Sequence, residues 1–311
     1  MKKILLVLLI FVNVKLATSQ FTFPNLQVQY DSAWLCNHYQ IIPIFFTSQS
    51  NKEDITLTNF LTLQQALVLK KVVVKENQFD GNQNVNSLTI KNISKQNIVL
   101  LDGDLLKGGK QDRMIAETKI IKPDKEASVV SVFCIEKGRW SKRPKSFSYA
   151  GFANTSIRKI ADSTKTQQAV WKEIEKQFEA KKIVSVSYPY LEIQKQLTNV
   201  DVACFNYFQV QSNKVNNNLV GFIIASDTSI IACEVFANAA LCNAAFSNVL
   251  QSYLQIQQDT ISKALPISKN KVQTFAEKIF SSEANQKKYL THHGTLFYID
   301  KKLFHLIAYD K

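Results

Sequence analysis

Apolar and polar positions alternate in short stretches along the first half of this chain and recur at helical spacing in parts of the second. Residues 40–46 form an apolar run that reads as a strand. Leu63, Leu67 and Leu69, within 61–70, predict a short helix feeding a strand at 72–75. Strand-like stretches come next at 87–92, 97–101, 114–121 and 127–135, separated by turn-prone clusters such as Ser94-Lys95-Gln96 and Lys122-Pro123-Asp124-Lys125. Short strands this closely spaced predict an antiparallel sandwich-like or curled sheet.

Beyond a polar loop at 141–149 the texture changes. Val170, Ile174 and Phe178 recur every four residues, behind candidate N-caps at Asp162, Ser163 and Thr164, so 166–179 is expected to be an amphipathic helix. Residues 202–210, 219–225 and 229–235 read as strands, the last two forming a hairpin over Ser226-Asp227-Thr228. A second helix is expected over 236–257, with Phe246, Leu250 and Leu254 on one face, and a third over 271–280. A final hairpin pairs 295–299 with 303–309, and the Asn-rich stretch 210–218 reads as a loop. The expected class is therefore α+β, with a β-rich N-terminal half and a helix-containing C-terminal half. The expected division is 20–150 for the β-rich region, 151–265 for an α+β region of the same or a second domain, and 266–311 for a helix-plus-hairpin extension.

The N-terminus adds an address. Lys2 and Lys3 precede an apolar run at 4–14, and small residues occur beyond it at Ala17 and Ser19, the layout of a signal peptide over 1–19. The run is shorter than the roughly 20 residues a bilayer core requires, so the expected product is secreted or periplasmic, with no membrane span after cleavage. Without the three lysines of that segment the chain keeps 35 basic and 25 acidic side chains. Eleven of the basic and five of the acidic residues fall within 107–145, so the positive charge is local. Such an excess favours an anionic small molecule or polymer as partner, and it also serves solubility alone. Export and the lack of an aromatic-interleaved basic groove argue against nucleic acid.

Five cysteines without a CxxC pair leave room for one disulfide and at least one thiol, with buried structural cysteine the expectation for most. His292 and His293 are adjacent; on a strand they would point to opposite faces, and no metal or other cofactor is expected. The 103–109 glycine pattern is not a P-loop. It is one residue too long, Gln111 stands where Ser or Thr must ligate magnesium, and residues 114–121 beyond it read as strand rather than helix.

Arginine use is the sharpest chemical signal. The chain has 34 Lys and only four Arg, and Arg113, Arg139, Arg143 and Arg158 all lie in one stretch. Arginine kept in such a background points to planar, bidentate pairing with carboxylate or phosphate. Four of the eight glycines, Gly103, Gly108, Gly109 and Gly138, fall in the same stretch. Glycine can turn backbone N–H groups toward an anion, with Lys110 and Arg113 supplying charge; the alternative is a hairpin with a glycine bulge. A candidate pocket gathers Asp102, Asp104, Lys110, Gln111, Arg113, Glu136, Arg139 and Trp140. Lys110, Arg113 and Arg139 would hold the anion, Trp140 would stack, and Glu136 or Asp104 would act as general base if the ligand is hydrolysed. The competing expectation is a non-enzymatic envelope or surface module in which the same residues build a turn, with its arginines already paired internally.

The order of motifs is also familiar. Thr62-Leu63-Gln64-Gln65-Ala66, Leu100-Leu101-Asp102-Gly103-Asp104, Gly108-Gly109-Lys110-Gln111-Asp112-Arg113, Cys134-Ile135-Glu136-Lys137-Gly138-Arg139-Trp140 and Gln168-Ala169-Val170-Trp171 resemble the ARG and rhodanese-phosphatase superfamily-associated protein domain. The likeness runs from about Ile41 to Leu254 and adds Gln168 and Trp171 to the candidate ligand-binding residues. It implies an uncharacterised reaction. The family's name implies, by association, nucleotide, ADP-ribose or other phosphate-bearing ligands. Asp112 stands where the family pattern has Asn, and Asp104 where it has Glu.

Overall fold

The computed structural model describes residues 21–47, 59–79, 82–124, 126–139, 145–197, 201–215, 218–227, 229–254 and 266–310. The expected signal peptide, Trp140 and Arg143 lie outside them. Three strands come first, β1 (Leu26–Val28), β2 (Trp34–Cys36) and β3 (Tyr39–Phe46). Nine more occupy the next hundred residues: β4 (Phe60–Thr62), β5 (Val72–Phe79), β6 (Asn82–Asn92), β7 (Asn97–Leu100), β8 (Asp104–Gly109), β9 (Arg113–Ile115), β10 (Lys119–Ile121), β11 (Ser128–Cys134) and β12 (Lys145–Phe152). The hairpin β13 (Leu219–Ser226) and β14 (Ser229–Phe236) and the terminal pair β15 (Gly294–Ile299) and β16 (Lys302–Tyr309) complete the strands among the described residues. A short helix, α1 (Leu63–Val68), lies between β4 and β5. Four helices lie between β12 and β13: α2 (Thr155–Thr164), α3 (Gln167–Ala180), α4 (Tyr190–Leu197) and α5 (Val202–Lys214). Three more, α6 (Ala239–Leu254), α7 (Lys269–Phe280) and α8 (Glu283–His293), precede β15. The class is α+β, with strands dominating the N-terminal half and helices the C-terminal half.

One sheet joins the two ends of the chain, in the order β1-β3-β13-β14-β16-β15 with β2 also on β3. Both of its faces are covered. Ile41, Phe222 and Ile224 pack with Phe246 and Tyr253 of α6, whereas Ile42, Ile44 and Ile223 pack with Val272, Phe275 and Ile279 of α7. Burial on both faces explains why β3 and β13 read as unbroken apolar runs rather than alternating ones. A six-stranded sheet, β12-β8-β9-β11-β6-β5, sends Leu88, Ile90 and Val130 toward α1 and the three-stranded sheet β10-β7-β4. Leu105 and Met114 of the six-stranded sheet pack instead with Ile157, Val170, Ile174 and Phe178 of α2 and α3.

Several expectations are corrected. Residues 202–210 are helix, not strand: Asp201 accepts the Cys204 N–H (3.0 Å), and Cys204, Phe208 and Ser212 are buried at four-residue spacing. The aromatic content of that segment outweighed its period. The single strand expected at 114–121 is two, β9 and β10, which belong to different sheets. The polar loop at 141–149 is partly β12, whose pairing with β8 is interrupted by bulges. Asp162, Ser163 and Thr164 do not cap α3 but end α2, which Asn154 caps by accepting the Ile157 N–H (3.1 Å). His292 and His293 form the last turn of α8 rather than a strand. Cys36 and Cys204 form a disulfide, across 168 residues, that ties β2 to α5, while Cys134, Cys233 and Cys242 are buried thiols.

Candidate functional site

The motif residues form the turn from β8 to β9 and the loop after β11. Gly108 and Gly109 both have positive φ (133° and 55°), and a Cβ at Gly108 would lie 2.6 Å from the Ser146 carbonyl oxygen. The double glycine is therefore fixed by close approach of β8 to β12. Two of the turn's N–H groups are satisfied internally. Gly108 donates to Asp112 Oδ1 (2.8 Å) and Lys110 donates to Glu76 Oε1 (2.7 Å). The protein's own carboxylates thus occupy positions that a phosphate would take.

Arg113 is fully buried. Its Nη2 lies 3.3 Å from Glu76 Oε2 and its Nη1 donates to Gln111 Oε1 (3.4 Å), while Gln111 Nε2 donates to the Glu136 carbonyl (2.7 Å). Its Nε is buried without a hydrogen-bond partner. Arg139 has a different setting: its side chain is 33% exposed, its Nη2 meets Asp112 Oδ1 (2.7 Å) and its Nε meets Glu136. Arg139, Asp112 and Glu136 line a surface cleft of about 410 Å³ together with Lys107 from β8 and Glu192 and Lys195 from α4. Burial raises the Glu136 carboxyl above its ordinary range, against the opposing pull of Arg139. A second cavity of about 270 Å³, walled by Tyr149, Phe152 and Gln194, shares Lys107, Leu191 and Lys195 with this cleft.

The remaining candidate residues separate. Lys110 is half-buried on the glycine turn. Gln168 is exposed, and its neighbour Gln167 makes the contacts: Cys134 N–H donates to Gln167 Oε1 (2.7 Å) and Gln167 Nε2 donates to the Cys134 carbonyl (2.8 Å). Trp171 is half-buried, its Nε1 has no hydrogen-bond partner, and Lys137 Nζ lies 6.0 Å from its ring centre.

Asp102 and Asp104 sit below the surface, in a buried polar cluster between the sheets. Arg158 of α2, with almost no exposed surface, reaches Glu234 Oε1 (2.8 Å) and Asp102 Oδ2 (3.4 Å). Tyr253 donates its hydroxyl to Glu234, and His305 Nε2 lies 3.0 Å from the other Glu234 oxygen. The other ring nitrogen of His305 meets Thr118 Oγ1 (3.0 Å), which donates to Asp102 Oδ1 (3.0 Å). Asp104 accepts the Leu101 N–H (2.9 Å) and the Tyr149 hydroxyl (3.0 Å), and Asp162 accepts the Tyr309 hydroxyl (2.9 Å). Loss of water pushes Asp102 and Asp104 up to about 7 and Asp162 to about 6. Glu234 goes the other way, down to about 2, because Arg158 and His305 outweigh its own burial. Among the described residues no group of three or more His, Cys, Asp and Glu is arranged to hold a metal ion.

Against known proteins, the model of the ARG and Rhodanese-Phosphatase-superfamily-associated Protein domain, ARPP-1, matches residues 27–305. The chain belongs to the ARPP-1 family. The match extends the resemblance past Leu254 to take in α7, α8, β15 and part of β16, so most of the C-terminal segment belongs to the ARPP-1 domain rather than lying outside it. No curated protein and no solved structure matches the chain. Sequence reasoning missed Glu192 and Lys195 of this ARPP-1 domain because α4 was not foreseen, and Glu234 and His305 because they stand alone in apolar strands. A single carboxylate inside the run Ser229–Phe236 was the available signal for a buried partner.

Proposed function

We propose that this ARPP-1 protein is exported and binds a phosphorylated or otherwise anionic small molecule, of nucleotide or ADP-ribose type, in the cleft beside Arg139. The observation that carries this reading is convergence: Lys107, Arg139 and Lys195 come from a strand, a loop and a helix to line one cavity. Arg139 is held by Asp112 and Glu136, which line the same cleft, while a third of its side chain stays exposed. The adjoining cavity gives an elongated ligand room against Tyr149 and Phe152. If the ligand is hydrolysed, Glu136 is the better-sited of the two expected bases, since it lines the cleft while Asp104 is buried under Tyr149. Export is supported by the N-terminal pattern and by the Cys36–Cys204 disulfide, which belongs to an oxidising compartment.

The test is calorimetry and thermal shift of the chain from Gln20 onward with ADP-ribose, nucleotides and sugar phosphates. A ligand at about a hundred times its Kd should stabilise the fold by roughly 2.7 kcal/mol. Arg139→Ala and Lys107→Ala should abolish that stabilisation while remaining folded; unchanged affinity in both would sink the reading. A second reading, a non-enzymatic surface module, is favoured by one fact: Arg113 and Arg139 are already paired with internal acids. Silence with every small ligand but binding to an anionic polymer would move the assignment there.

A further inference from the structure

A separate cavity of about 480 Å³ opens at the seam where α2, β11 and β15 meet. Apolar side chains, Phe133, Ala161, Leu296 and Phe297 among them, form part of its wall, and Asp162 lies in its lining. Asp162 is 6% exposed, and the buried Thr295 hydroxyl stands beside it without a hydrogen bond of ordinary geometry. The charge count leaves this carboxylate without a cation in contact. The buried cluster contains Asp102, Asp104, Asp162 and Glu234 against the guanidinium of Arg158 and the imidazole of His305. Arg158 contacts Glu234 and Asp102 and acts on Asp162 only from farther away, and among the described residues no cation lies within ion-pair distance of Asp162. Of the cavity's other charged residues, Glu117 is paired with Lys119 (3.4 Å) and Lys165 is exposed.

We propose that this cavity is a second binding site, independent of the cleft beside Arg139, for a small molecule with a positively charged amine or amidine head on an apolar body, the head pairing with Asp162. A buried carboxylate with no cation in contact gains a charge-assisted pair from a ligand cation, which offsets the water that cation gives up on entering. The aromatic and aliphatic walls take up the body.

Benzamidine is a suitable probe, with neutral benzamide as its twin. In methyl spectra of the chain from Gln20 onward, benzamidine should shift Val132, Ala161 and Leu296 saturably and should bind about tenfold or more tightly than benzamide. Asp162→Asn should remove that preference. No shift at these methyls, shifts confined to the cleft around Lys107, or equal affinity for the two probes would overturn the proposal. The two-probe comparison in the unmodified protein decides the matter even where Asp162→Asn fails to fold. A result against this cavity leaves the anion cleft untouched, since neither probe is anionic.

Discussion

Arg139 and Arg158 each meet two carboxylates, yet the surroundings give the two clusters opposite characters. Arg139, Asp112 and Glu136 border a solvent-open cleft, and the arginine side chain keeps a third of its surface. Arg158, Asp102 and Glu234 have almost none. At the cleft, solvent screens the pairing and the net gain is small. Inside, three charges have lost their water and stability depends on each keeping its partner. Arginine scarcity pointed to planar pairing, and here Arg113 and Arg158 meet internal acids while Arg139 is the one of the three that borders open space.

The largest expected effect tests the buried side. Arg158→Met, similar in length but uncharged, should cost roughly 3–5 kcal/mol in urea unfolding because Glu234 and Asp102 lose their cation. The same substitution at Arg139 should cost no more than about 1 kcal/mol. Equal losses would break the comparison. A second scale within the interior is the disulfide: Cys204→Ser should cost roughly 2–4 kcal/mol, and reduction of the unmodified protein should lower its Tm by a matching amount. A reduced protein as stable as the oxidised one would mean that the buried cluster and its sheet hold α5 unaided.

The contrast also explains which features were legible in the chain. Local signals were: the leucines of α1, the apolar runs of β3 and β13, and the four-residue period of α3. The motif stretch 102–139 was legible as a unit because its glycines and arginines are rare elsewhere in the chain. The division of that stretch into a cleft side and a buried side was not. It depends on contacts between residues far apart in sequence, such as Asp102 with His305 through Thr118, or Arg158 with Glu234. Helix α5 was misread because side-chain type favoured a strand where only the burial of Cys204, Phe208 and Ser212 revealed the period.

Acidity separates the two clusters further. Asp102 and Asp104 rise from 3.8 to about 7 in the folded protein, and Asp162 to about 6, so between those values the folded state binds more protons than the unfolded one. The stability from these groups is full below about pH 3.8 and is lost as pH rises through about 7. Glu234 works in reverse: with its carboxyl held near 2 rather than 4.5, its contribution is present above 4.5 and disappears as pH falls toward 2. Together these groups place a stability maximum on the acid side of neutrality. Asp104→Asn, which cannot ionise, should flatten the decline as pH rises through about 7 in thermal unfolding. An unaltered slope would remove Asp104 from the account.

The smallest expected effect is also the most informative about the cleft. Glu136→Gln keeps the length and one acceptor of the side chain but ends its charge pairing with Arg139, at a cost of about 1 kcal/mol or less because solvent screens that arginine. Under the anion-binding reading the change should strengthen binding of a phosphorylated ligand, since a carboxylate that competes for Arg139 has been neutralised. If the ligand is also hydrolysed, turnover should fall while affinity rises, because the same carboxyl is the base. Calorimetry and product formation measured on one preparation separate these outcomes. Weaker binding after Glu136→Gln would mean that the carboxylate orients Arg139 more than it competes for it, and the cleft would then depend on its ion pairs for shape, as the interior does.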